Sequence, residues 1–136
     1  MPDKMIERLC EAIGYPERIP EGGASAVLRV DGMEIAAEER NGGIILKYAL
    51  TEDEGLFQPL AGLAAGRMLK EDAVLSSEPY SGGLFLWQAA PAGTGAHGLL
   101  RLFETFCDSC DWWRERVGSI GEATPKAEPG QVIMMP

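Results

Sequence analysis

The sequence feature that most constrains the fold is a pair of two-residue turn signals, Asp31-Gly32 and Asn41-Gly42. Asp-Gly and Asn-Gly favour the positive φ angles of type I′ turns, which join neighbouring antiparallel strands. Apolar and polar residues alternate on both sides of each signal, as they do in strands with one buried face. Because such short turns cannot make the crossover that parallel strands need, the sequence predicts an antiparallel meander. Its strands are expected at residues 24–31, 33–38 and 43–50.

Two helices are predicted on either side of this meander. The first runs from Asp3 to Gly14, with Asp3 as the N-cap and Gly14 as the residue that ends it. The second covers about residues 56–70. Pro59 is tolerated there only because it falls within the first helical turn.

A third helix is predicted from about His97 to Val117, with Gly118 as the residue that ends it. Its apolar residues form one continuous stripe, spaced alternately four and three positions apart. They are Leu99, Phe103, Phe106, Cys110, Trp113 and Val117. Residues 119–136 contain prolines and no periodicity, so we expect a flexible C-terminal tail there. The remainder, residues 1–118, is expected to form a single domain.

A second strand pair completes the predicted sheet. Residues 73–80 and 84–90 are two further strand candidates, joined by Ser81-Gly82-Gly83. The element order is therefore helix, three strands, helix, two strands, helix. This order predicts an α+β fold with an antiparallel five-stranded sheet and three helices.

Charge and composition argue against several classes of function. A net charge of -9 disfavours binding to nucleic-acid phosphates and to anionic membrane surfaces. No stretch approaches the roughly 20 apolar residues of a membrane span, and residues 1–10 lack the continuous apolar segment of a signal peptide. The 3 cysteines, an odd number, fit a reducing compartment better than a disulfide framework. We therefore expect a cytoplasmic protein with no membrane insertion and no nucleic-acid partner.

The sequence offers little that indicates catalysis. Cys107-x-x-Cys110 has the spacing of a redox pair, but it falls inside the third helix and not at a helix N-terminus, where the thiol pKa would be lowered. A zinc site would need further ligands, and only Cys10 and His97 remain among the cysteines and histidines. His97 lies in a glycine-rich loop that lacks the third glycine of a phosphate-binding motif. We predict no catalytic residue, no metal site and no cofactor.

Two predicted surfaces, one on the second helix and one on the sheet, carry small or apolar residues that a single layer of helices on the sheet would not explain. The second helix contains Gly62 and Gly66, and each glycine inside a helix costs about 1 kcal/mol relative to alanine. Close packing against either the protein's own sheet or a second subunit would explain that cost. Several strands are also apolar on both faces, so the second face of the sheet needs a cover. A subunit, a client peptide, or the second helix with its loops would each provide one.

The order of elements, together with the small size and acidity of the chain, resembles the class I type III secretion chaperones (the Tir chaperone family). The resemblance covers residues 3–118. It includes the glycine turns and two segments of the closing helix. These are Asp31-Gly32, Asn41-Gly42-Gly43, Ser81-Gly82-Gly83, Leu102-Phe103-Glu104 and Trp113-Arg114.

The resemblance implies a homodimer without catalytic activity that binds the N-terminal region of a secreted effector and keeps it secretion-competent. It also implies that the second helix contributes to the dimer interface. The expected interface residues are Ala61, Gly62, Ala65, Gly66 and Met68. For contacts with the effector we expect Ile6, Val27, Ile35 and Ile45.

Two other functions remain open on the sequence. One is a regulatory protein of the same fold that binds a folded partner and not a secreted polypeptide. The other is a thiol-based redox protein that uses Cys107 and Cys110, for which at least one thiol should be unusually acidic.

Overall fold

The computed structural model describes residues 4–16, 25–67, 70, 72–78 and 82–123. The predicted order of helices and strands is confirmed, and a single turn of 3-10 helix, Glu54–Leu56, leads into the second helix. The elements are α1 (Met5–Ile13), β1 (Ser25–Val30), β2 (Met33–Arg40), β3 (Gly43–Thr51), α2 (Phe57–Arg67), β4 (Val74–Ser77), β5 (Leu84–Ala90) and α3 (Ala96–Ala123).

The first two hairpin turns have the geometry that their sequences predict. Asp31 and Gly32 have φ angles of 50° and 77°, and Asn41 and Gly42 have φ angles of 52° and 81°. These left-handed pairs make type I′ turns, whose twist matches that of the flanking strands. The turns fix the register of the meander, with Val30 opposite Met33 at the first of them.

The five strands form one sheet in the order β1-β2-β3-β5-β4, and each neighbouring pair is antiparallel. Helices α1 and α3 pack against each other and cover one face of this sheet, which we call the inner face. Leu28, Leu46 and Leu86 point into this layer from three strands and are each 0% exposed. The α3 stripe meets them with Phe106, which is also 0% exposed. The hydrophobic core therefore lies between the inner face and two helices.

Helix α1 begins differently from the prediction. Its N-cap is Lys4, which has an extended backbone and makes no side-chain capping bond. The expected N-cap, Asp3, lies outside the described residues. The predicted end is confirmed, because Gly14 adopts a φ of 68° and its N–H donates to the Glu11 carbonyl.

Helix α3 does not end at Gly118 as the sequence analysis predicted. It continues to Ala123, so residues 119–123 are helical. Val117 and Ile120 both pack against the core, and this burial offsets the roughly 1 kcal/mol that a glycine costs inside a helix. The rest of the expected tail, residues 124–136, lies outside the described residues.

Candidate functional site

The two helical cysteines are poorly suited to redox chemistry. Cys110 is 0% exposed in the core stripe of α3. Burial, followed by the charges of Asp111, Asp108 and Asp31, raises the pKa of Cys107 to about 12. A thiol reacts as its thiolate, so Cys107 is held in its unreactive form at neutral pH. This environment argues against the thiol-based alternative and favours a structural role for the pair.

Other features of the described residues also give no reactive centre. No group of three or more histidines, cysteines or carboxylates in this part of the chain is placed to hold a metal ion. His97 is exposed in the first turn of α3. Within the same ranges, no helix is long and apolar enough to cross a membrane.

The face of the sheet opposite α1 and α3, which we call the outer face, has no cover among the described residues. Its central row crosses all five strands, with each residue directly opposite the next. From β1 to β4 the row reads Val27, Ala36, Lys47, Trp87 and Val74. Val27 and Val74 at its two ends are 55% and 45% exposed. A contiguous row of apolar and aromatic side chains on a sheet face is a candidate binding surface.

Lys47 is the one charged member of the central row, and its charge is already compensated. Its ammonium lies 5.0 Å from the ring centroids of both Phe85 and Trp87 and 2.9 Å from a carboxylate oxygen of Glu78. The aliphatic stem of the lysine therefore lies along the aromatic rings while its head group is paired. The centre of the outer face presents apolar carbon and aromatic surface, with no free charge to exclude an apolar ligand.

Beside this row, the outer face continues into an open depression of about 480 Å³ at the end of the sheet. Ile45 and Ala89, which are paired across β3 and β5, line it together with Pro91. Arg40 lies at its rim. The outer face thus has a second, concave apolar region next to the central row.

Strand β1 is an edge of the sheet that lies beside the outer face. Because a two-residue turn makes Val30 and Met33 a hydrogen-bonded pair, the backbone groups of Val27 and Arg29 point away from β2. The Arg29 N–H donates to the hydroxyl of Tyr15 at 2.9 Å. In the ranges that the structure describes, no strand pairs with β1 at Val27 on that side. The edge is therefore open where the most exposed apolar side chain lies.

Helix α2 has a buried side and a side of small exposed residues. Leu60 and Ala64 are buried, whereas Ala61, Gly62, Ala65 and Gly66 are exposed. Among the described residues, a Cβ atom built on Gly62 or Gly66 would meet no atom within 4 Å. Packing against the protein's own sheet therefore does not explain these glycines. We call these four exposed residues the small stripe of α2.

The residues expected at the dimer interface and those expected to contact an effector differ in how well their exposure fits these roles. The small stripe contains four of the five expected dimer residues, and Met68 lies outside the described residues. Val27 and Ile45 lie on the outer face. Ile6 and Ile35 are 1% and 0% exposed, so the expectation that they offer surface to an effector is corrected: both are core residues of this conformation.

Sequence reasoning missed Lys47 and Val74 as parts of the same surface. Lys47 was overlooked because a lysine within a strand is normally taken as a solvated residue. Its place in the central row follows from the register that the Asn41-Gly42 turn sets, since Lys47 lies opposite Ala36. Val74 joins the row through β4, whose pairing with β5 depends on a longer connection.

Comparisons with known proteins bear on the fold. No protein-family model matches the sequence, and no curated protein matches it. Solved structures do match. A chain of the HopA1–SchA chaperone–effector complex superposes with a TM-score of 0.64 at 15% identity, covering 79% of this chain and 88% of that one. The fold is that of the type III secretion chaperones.

Two further structures support the same assignment of fold. A chain of the ExsC–ExsE complex gives a TM-score of 0.64 at 16% identity, covering 84% of this chain and 94% of the other. A chain of the heterodimeric ExoU–SpcU complex from the type III secretion system of Pseudomonas aeruginosa gives 0.59 at 20% identity, covering 85% and 96%. At these identities the likeness concerns the fold, so the residues of this chain have to carry the functional argument.

Proposed function

We propose that this protein is a type III secretion chaperone that binds the N-terminal segment of a secreted effector and keeps it secretion-competent. The observation that carries the proposal is the central row of the outer face, from Val27 to Val74, which no described helix covers and which ends at the edge strand β1. The fold shared with a chaperone–effector complex and with a complex of a type III secretion system gives independent support.

The effector segment is proposed to bind in an extended conformation. An added strand at β1 would pair with the open backbone groups at Val27 and direct alternate side chains toward the outer face. Those side chains would then cover Val27 and extend toward Ala36, while others would reach Ile45 and the depression beside it. Main-chain pairing would provide affinity for many sequences, and the apolar positions would select among them.

The small stripe of α2 is proposed as the core of a homodimer interface. Ala61, Gly62, Ala65 and Gly66 let two helix backbones approach closely, because no long side chain separates them. A two-fold interface uses the same surface on both subunits, so a single stripe of this kind is sufficient. A dimer would also present two outer faces to one long effector segment and so raise its effective affinity.

This function requires stoichiometric binding and no chemistry on the client. The chaperone would act in the bacterial cytoplasm, where the effector is synthesised, and would release the effector at the secretion apparatus. Holding the N-terminal segment extended keeps it from folding or aggregating before export.

The proposal is tested by purifying the chain with its bound polypeptide from the native cytosol and measuring the mass of the complex by size-exclusion light scattering. We expect a dimer of the 14.7 kDa chain with one secreted polypeptide bound. Deleting the N-terminal segment of that polypeptide should abolish binding. A partner that binds equally well without its N-terminal segment would contradict the proposal and support the regulatory alternative.

A further inference from the structure

Tyr15 links the end of α1 to the edge of the sheet. Its N–H donates to the Cys10 carbonyl at 2.9 Å, and Gly14, in the left-handed conformation, donates to the Glu11 carbonyl. These two bonds form a Schellman motif, which fixes the backbone at the C-terminal end of a helix. The half-buried ring of Tyr15 packs against the core. The backbone and the ring therefore both hold the phenol hydroxyl in place.

The Tyr15 hydroxyl occupies a backbone group that an added strand would use. It accepts a hydrogen bond of 2.9 Å from the Arg29 N–H, which points away from β2 at the edge of β1. Backbone groups that face the same neighbouring strand recur at every second residue. A polypeptide strand that pairs with Val27 would therefore reach Arg29 at its next pairing position in that direction.

Pairing beyond Val27 would bring little gain in free energy. The Arg29 N–H already has an acceptor, so a client carbonyl at this position would only replace one hydrogen bond with another. Each client residue that is ordered to make this exchange still loses conformational entropy. The extension of the added strand past Val27 is therefore disfavoured.

The side chains of the outer face change character at the same place. Arg29 pairs with Glu34 on the neighbouring strand at 3.4 Å, and both side chains are largely exposed. An exposed ion pair contributes little to stability, but it makes this end of the outer face polar. Val27, two residues earlier, begins the central row. The apolar surface and the unpaired backbone thus both end between Val27 and Arg29.

We infer that Tyr15 is a specificity-determining residue of this edge, which ends the pairing of a bound client strand at Val27. The inference rests on the proposed binding of an effector segment at β1 and adds where the paired part of that segment stops. Such a client needs only a short extended stretch with an apolar side chain beside Val27. The segment leaves the sheet before Arg29, so its sequence on that side is free of the demands of strand pairing.

The test is amide hydrogen exchange, followed by NMR on the full-length chain with and without a synthetic peptide of the co-purified effector's N-terminal segment. In the wild type, the peptide should slow exchange of the Val27 amide by about tenfold or more and leave that of the Arg29 amide unchanged. This measurement needs no variant, so it holds even if a substitution prevents folding.

Tyr15→Phe removes the hydroxyl and keeps the ring. In the free variant the Arg29 amide should exchange about fivefold faster, and the peptide should now slow it. Peptide affinity should rise by about two- to tenfold, because one further backbone bond can form. Tyr48→Phe is the matched control, since it removes a hydroxyl from the inner face of β3, and it should change none of these values.

Exchange of the Arg29 amide that slows when the wild type binds the peptide would overturn the inference, because the client would then displace the Tyr15 hydroxyl. A Tyr15→Phe variant whose Arg29 amide is not slowed by the peptide would also overturn it. A peptide that binds without slowing the Val27 amide would overturn strand addition at β1, and the inference with it. A chain that binds no secreted polypeptide would instead overturn the proposed function itself.

Discussion

The inner and outer faces of the sheet are built from the same strands, yet among the described elements only the inner face is covered by helices. On β3, Leu46 points inward and is 0% exposed, while its neighbour Ile45 points outward into the open depression. On β1, Leu28 is 0% exposed and Val27 is 55% exposed. Apolar residues that are neighbours on one strand are thus buried on one face and exposed on the other, so composition alone does not predict which face is covered. The helices cover the inner face, and no described helix packs against the outer one, where we propose that a second polypeptide binds.

The largest difference in stability between the two faces is expected when neighbouring residues on β3 are truncated to alanine. Leu46→Ala removes buried methyl groups from the core and should lower the free energy of unfolding by about 2–5 kcal/mol. Ile45→Ala, one residue earlier on the other face, should cost no more than about 1 kcal/mol. Chemical denaturation of the two variants measures both values. Equal losses would mean that the outer face is packed as tightly as the inner one.

A second contrast concerns α2, whose buried and exposed sides parallel the two faces of the sheet. Gly62→Leu should weaken the dimer by about tenfold or more, because added bulk separates the two helix backbones. Gly62→Ala is the matched control, since it restores helix propensity worth up to about 1 kcal/mol and adds a single methyl group. Light scattering at decreasing concentration distinguishes the two. A Gly62→Leu variant that remains dimeric throughout would place the interface elsewhere.

The smallest effect is expected at Cys107, a half-buried residue of α3 that packs against the core. Its pKa of about 12 lies above the ordinary value, so the thiol stays protonated as pH rises from 6 to 9. Cys107→Ser should therefore leave effector affinity unchanged across this range and alter the free energy of unfolding by only about 1 kcal/mol. Titration calorimetry at pH 6 and pH 9 checks this. An affinity that follows the ionisation of a thiol would revive the redox alternative.

Much of the fold was predictable because its determinants are local. Asp31-Gly32 and Asn41-Gly42 specify their turns by backbone preference, and these turns set the pairing of three strands. The buried stripe of α3 follows from spacing alone. The end of α3 was not predictable in this way, because the signal from Gly118 was outweighed by burial of side chains on both sides of it.

The candidate site was predictable only in part. Ile35 and Ile45 were expected on one binding surface, but the turn at Asn41-Gly42 places Ile45 opposite Glu38 and so on the other face from Ile35. The strand register therefore distinguishes the face of Ile35 from that of Ile45, whereas the hydrophobicity of the two residues does not.

The most direct test of the central claim is the affinity of the outer face for the N-terminal segment of the co-purified effector, measured by titration calorimetry. Val27→Asp combined with Ile45→Asp buries two charges under the bound segment and should abolish detectable binding, while circular dichroism shows an intact fold. As a control away from the outer face, Ala96→Asp adds one negative charge at an exposed position of α3 and should bind as the wild type does. An unchanged affinity in the double variant would contradict the account and place the effector on another surface.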